Sequence, residues 1–110
     1  MELTVHNKGD YTIIALSGEV DLNYSPQARE QILKSLGDKC NVLIDLSAVA
    51  YIDSSGVASL VEGFQAAKSS QLEFGLVGVS NAALRVLQLA RLDKVFPIHA
   101  TVEECLGSDA

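Results

Sequence analysis

The chain has 110 residues, of which 48% are hydrophobic and 20% charged, and its formal net charge is −6 at pH 7. That length holds one domain with a real core, and that balance of residues is globular rather than disordered. An acidic chain with no run of basic residues argues against nucleic acid and anionic membrane as partners and favours a protein partner with a basic face.

The first ten residues, MELTVHNKGD, lack the apolar core of a signal peptide. No stretch approaches the ~20 apolar residues of a membrane span, so a cytoplasmic protein that is not membrane-inserted is expected. Cys40 and Cys105 are far apart and have no CxxC spacing. They read as reduced thiols in or near the core.

Residues 2–7 alternate, and Lys8-Gly9-Asp10 then marks a hairpin loop before a second strand at 11–17. Ser25 followed by Pro26 predicts a helix start, with Ser25 as N-cap and Pro26 at the first helical position. Ala28, Ile32, Leu33 and Leu36 form its apolar face, and Gly37 is expected to end it. Residues 41–46 form a short apolar strand buried on both faces. Val57, Leu60, Val61, Phe64 and Ala67 then fall on one stripe of a helix over 54–68.

Residues 72–77 predict another strand, and Ser80 or Asn81 caps a helix carrying Leu84, Val86, Leu87, Leu89 and Ala90. A last short strand at 95–99 contains Pro97, which places it at a sheet edge. Thr101 and Glu104 form a capping box that opens a short terminal helix. The tail 107–110 is expected to be loose. The order ββαβαβαβα, with helices between the later strands, predicts an α/β fold with parallel crossovers. The expectation is one domain over 1–110, with a mixed central sheet of four to five strands and about four helices.

The stretch 51–60 reads YIDSSGVASL. It falls after the strand at 41–46 and at the start of the helix at 54–68, outside the carboxyl end of a strand, where sites in open α/β sheets lie. Asp53 alone would cap that helix, yet two serines and a glycine crowd its first turn. Ser54 and Ser55 are ordinary capping types. Alternatively, a phosphate on Ser54 would be received by the free N–H groups and partial positive charge of a helix N-terminus. Gly56 would keep the backbone bare and approachable. Glu19 and Asp21 follow a strand that could end close by. Spacing alone leaves both readings open.

Little in the chain reads as an enzyme. The GxSxG pattern fails around both serines, with Ile52 two residues before Ser54 and Asp53 two before Ser55. His6 and His99 stand alone in strand-like runs and read as structural or surface histidines. No His/Cys/Asp cluster has metal spacing, no phosphate-binding glycine loop is present, and no cofactor is expected.

The combination of SGEVD at 17–21, VLIDLSAVAYIDSSGV at 42–57 and ALRVLQLARLDKVFPI at 83–98 resembles the STAS domain, and within it the bacterial anti-sigma factor antagonists. The resemblance covers essentially the whole chain, and the strand–DLS–x4–IDSSG–helix block is its most diagnostic part. It implies a mixed sheet of four or five strands with helices. It implies that Ser54, with Ser55 as second candidate, is phosphorylated by a histidine-kinase-like ATPase that is also the anti-sigma factor. The unphosphorylated antagonist would bind this kinase and free the sigma factor, and a phosphatase would reset it. Asp53, Ser55 and Gly56 would shape the acceptor loop, and Asp21 matches a family acid near the acceptor. The outward side of the helix, with Ser55, Ser59 and Glu62, and the loop after Glu19 would contact the partner.

A second resemblance competes. GVASLVEGFQAAKSS, together with ALRVLQLARLDKVFPI, is similar to the cytosolic STAS subunit of lipid-transporting ABC complexes. There the same helix would dock on an ATPase subunit. Members of that group often lose the acceptor serine, whereas this chain keeps DSSG.

Overall fold

The computed structural model describes residues 1–106; the tail expected to be loose at 107–110 lies outside them. The elements are β1 (Glu2–Lys8), β2 (Tyr11–Val20), α1 (Ser25–Gly37), β3 (Asn41–Ile52), α2 (Ser54–Ser69), β4 (Phe74–Val77), α3 (Asn81–Leu89), β5 (Ile98–His99) and α4 (Val102–Cys105). This is the expected order. The strands form one mixed sheet in the order β1-β2-β3-β4-β5. Only the β1–β2 hairpin is antiparallel. Gly9 opens its two-residue turn with φ 61°, a conformation that glycine adopts without steric cost.

Strand alternation sorts the core. Ile14, Leu16, Val42, Ile44, Leu46 and Leu76 meet Ala28, Ile32 and Leu36 of α1, Leu60 and Ala67 of α2, and Leu87 of α3. The opposite face carries a smaller cluster, Ile13, Leu43 and Val77, covered by Tyr11 and by Val102 and Cys105 of α4. The three long helices therefore share one face, and α4 shields part of the other.

β3 is twice the expected length, and the reason is a pair of bulges. Ala15 faces Asp45 and Ser17 faces Ala48; Gly18 faces Val49 and Glu19 faces Tyr51. Each step adds one residue to β3 relative to β2. The buried positions therefore run Val42, Ile44, Leu46 and then slip to Val49 and Ile52. A strict period of two stops at 46, but the strand does not. Gly18, with φ 78°, sits at the break in β2.

Two helix ends correct the sequence reading. The N-cap of α1 is Tyr24, with no side-chain cap bond, and Ser25 is already helical and buried. The entry turn is instead held by Asp21, whose carboxylate accepts from the Asn23 and Tyr24 amides at 3.0 and 3.3 Å. Its carbonyl accepts from Ser25 N–H at 2.7 Å. At the other end, Gly37 remains in the helix, and the left-handed residue is Lys39, at φ 64°.

The same device ends α2 and α3, with Gln71 and Arg91 both at φ 60°. In all three helices the next amide reaches back to close the last turn: Cys40 to Ser35, Leu72 to Ala67 and Leu92 to Leu87. These are Schellman ends built without glycine.

Glycine matters instead where α1 crosses α2. A Cβ on Gly63 would lie 2.6 Å from Ile32 Cγ2 and 2.9 Å from Phe74 Cε2. A Cβ on Gly37 would meet nothing within 4 Å. Gly63→Ala gains about 1 kcal/mol of helix propensity, but overpacking costs about 1–3 kcal/mol. Urea unfolding should therefore show Gly63→Ala less stable than the parent and Gly37→Ala as stable or more so. A reversed ranking would mean that the α1–α2 crossing is loose.

Candidate functional site

β2 and β3 end side by side, Val20 opposite Ile52. The chain then turns into two helix entries, 21–24 and 53–56. Asp53 joins them. As N-cap of α2, its carboxylate accepts from Ser55 N–H at 2.9 Å, from Gly56 N–H at 3.1 Å and from the Ser55 hydroxyl at 2.6 Å. Its own N–H donates to Val20 O at 3.3 Å.

The Ser55 hydroxyl, and behind it these backbone donors, hold the Asp53 carboxyl below the usual carboxylate range despite an opposing desolvation effect. Such a group is a poor base. It organises the first turn.

The two serines are thereby separated. Ser55 is half-buried and spends its hydroxyl on Asp53. Ser54, the first helical residue, is exposed, and among the described residues its hydroxyl has no hydrogen-bond partner. The helix-start amides expected to receive a phosphate are already taken at Ser55 and Gly56. A charge added to Ser54 would sit beside the Asp53 carboxylate and face outward.

Other candidates are placed differently from the sequence reading. Gly56 is buried, and a Cβ there would lie 2.6 Å from Val20 O and 2.7 Å from Ile52 Cγ1. Its bare backbone seats the helix on the strand ends and is not open to a partner. Ser59 does not face out. It is 6% exposed, and its hydroxyl is shared between Ser55 O at 3.1 Å and Ser25 O at 3.3 Å. The reason is that the start of α1 packs over this side of α2. Glu62 lies at the surface but is engaged by Arg29 of α1 through two bonds of 2.7 Å, a pairing that lowers the carboxyl's pKa. Glu19 is exposed, and Asp21 is half-buried in its turn.

Residues not singled out from the sequence complete the surface. Leu22 is 73% exposed, Tyr51 50% and Tyr24 41%. Leu22 and Tyr24 lie in the turn after β2 and Tyr51 near the end of β3, and they leave large apolar side chains in solvent, the composition of a docking patch. The available signal was their place between the SGEVD and DSSG segments.

Surface hollows lie elsewhere. One of about 190 Å³, lined by Tyr11, Leu43, His99 and Cys105, opens on the sheet face that carries α4. His6 and His99 sit on opposite edge strands. Cys40 and Cys105 are free thiols, half-buried, and burial pushes the Cys105 thiol up. Among the described residues no three His, Cys, Asp or Glu side chains are placed to hold a metal ion, and no helix is long and apolar enough to cross a membrane.

Fold and site together define a small α/β domain that presents an exposed hydroxyl at a helix start. The chain belongs to the STAS domain family, whose model matches residues 2–105. It is 30% identical over 105 residues to the anti-sigma-F factor antagonist RsfB of Mycobacterium tuberculosis, covering 94% of this chain and 85% of that protein. It is 28% identical over 102 residues to the anti-sigma-B factor antagonist of Listeria monocytogenes, covering 92% and 90%. The crystal structure of an anti-sigma factor antagonist from Mycobacterium paratuberculosis superposes with a TM-score of 0.84 at 28% identity, covering 97% and 92%. These relatives are regulatory binding proteins by name, and the fold and family read from the sequence hold.

Because the Asp53 pKa is lowered on folding, its contribution to stability is present above the unfolded carboxylate value of about 3.9. It is lost as the pH falls through the lower folded value. Asp53→Asn keeps an acceptor oxygen for the cap but does not titrate. Thermal unfolding between about pH 6 and pH 2 should show a shallower acid decline for Asp53→Asn than for the parent. Parallel curves would remove Asp53 from the acid-sensitive groups.

Proposed function

We propose that this STAS domain is an anti-sigma factor antagonist switched at Ser54. Unphosphorylated, it docks on a cytoplasmic anti-sigma factor of the histidine-kinase-like ATPase type and so releases a sigma factor. That ATPase transfers phosphate to Ser54 and ends the contact, and a phosphatase restores it. The supporting observation is the inequality of the two serines: Ser55 is locked to Asp53 at 2.6 Å, and Ser54 is exposed beside it.

The docking face is formed by Glu19 at the end of β2 with Asp21, Leu22 and Tyr24 of the following turn, and by Tyr51 near the end of β3 with Asp53 and Ser54 at the start of α2. Leu22 and the tyrosines supply apolar contact. The carboxylates of Glu19 and Asp21 suit a basic rim on the partner. Ser55 and Gly56 act beneath this face by shaping the turn. Ser59 fastens α1 to α2.

Among the described residues no side chain hydrogen-bonds the Ser54 hydroxyl, and in this reading the phosphoryl donor, metal and base belong to the partner. Phosphate adds nearly two negative charges to a surface that already carries Asp53. Like charges at a docked surface cost several kcal/mol, and about 2.7 kcal/mol is already a hundredfold in affinity. The relatives described above carry the antagonist name, and the transporter-subunit alternative has no comparable support.

The test uses the anti-sigma kinase encoded with or captured by this protein, with ATP and magnesium. Ser54→Ala should bind it as the parent does and take up no phosphate. Ser54→Asp should bind at least about tenfold more weakly, because one carboxylate only partly imitates a phosphate. Ser55→Ala should still be phosphorylated. Undiminished phosphate uptake by Ser54→Ala would move the acceptor elsewhere.

A further inference from the structure

The sheet has two edges of unequal protection. β5 has two residues and follows Pro97, both devices that close an edge to further pairing. β1 has seven residues, no proline, and an unbroken register with β2 from Glu2–Ser17 to Lys8–Tyr11. Among the described residues no strand pairs with its outer side. Val5 is 43% exposed there.

The ladder fixes which backbone groups face outward. Pairs that exchange both hydrogen bonds alternate with pairs that exchange none. In a two-residue hairpin the pair flanking the turn, here Lys8–Tyr11, is of the first kind. The even-numbered residues of β1 therefore bond to β2, and Leu3, Val5 and Asn7 turn their N–H and C=O groups to the open edge.

We propose that β1 is a self-association edge, pairing antiparallel with β1 of a second copy about a twofold axis at Val5. In this register Leu3, Val5 and Asn7 face Asn7, Val5 and Leu3 of the second copy, and all these positions carry outward backbone groups. Glu2 faces Lys8 of the second copy at both ends of the pairing. Opposite charges on facing residues attract at this spacing. The two Val5 side chains cover one another. Centring the axis on Thr4 would place Glu2 opposite His6 and leave Lys8 without a facing carboxylate.

The pattern Glu–x5–Lys thus complements its own reverse. Lys8 also pairs with Glu103 of its own chain, but an ammonium has donors for two carboxylates. The interface is isologous and contains none of the residues around Ser54, so it is independent of the proposed switch.

Sedimentation velocity of the full chain from roughly 1 μM to 1 mM should show a monomer–dimer equilibrium. Val5→Pro removes an outward N–H and no bond to β2, so it should remain folded by circular dichroism and become monomeric. Glu2→Lys and Lys8→Glu should each weaken the dimer by about tenfold, because facing charges become alike at both ends. Mixing these two variants should restore association, since each then faces the opposite charge. A monomer at every concentration, a dimer indifferent to Val5→Pro, or a mixture no tighter than either variant alone would overturn the proposal.

Discussion

The site depends on one carboxylate. Asp53 collects the amides of Ser55 and Gly56 and the hydroxyl of Ser55. It thereby fixes the first turn of α2, and its own N–H, donated to Val20 O, holds that turn to the end of β2. With Ser55 held inward, Ser54 is left outside. Gly56 completes the constraint, because only a residue without Cβ lets α2 start against Val20 O and Ile52. The two bulges of β3 supply the remaining condition. By extending the strand to Ile52 opposite Val20, they bring the two loops to the same end of the sheet.

A switch built this way needs no change of fold. Asp53 already caps the helix, and the amides of Ser55 and Gly56, nearest the proposed acceptor, are already bonded. In the proposed switch, added phosphate would change the charge of a surface and leave the packing beneath it intact. The side of α2 toward α1 has a different role. Ser59, Gly63 and the Glu62–Arg29 pair hold the two helices together, so the proposed docking surface is carried on a packed pair of elements. Rigidity in the free protein lowers the ordering cost of binding.

Much of this was legible in the sequence. The apolar stripe of α2, the DSSG start and the strand at 42–46 all have strong local patterns, and the element order follows from them. The second half of β3 was not legible, because each bulge slips the period of two by one residue. Ser59 reads as outward on its own helix; only the approach of α1, with Ser25 O beneath it, buries it. Gly56 reads as an open backbone until the strand ends are placed against it. The helix ends at Lys39, Gln71 and Arg91 adopt a glycine conformation without glycine, so no residue type announces them. Leu22, Tyr24 and Tyr51 look like core residues by type, and only the fold shows them in solvent.

Backbone amide NMR of the labelled protein, with and without the anti-sigma kinase, tests the central claim most directly. The expected result is shift changes and broadening concentrated at 19–24 and 51–58, with β1 and α3 unaffected. Perturbations centred on α3 and the loop before β5, with Ser54 and Leu22 unmoved, would contradict a docking surface built around Asp53.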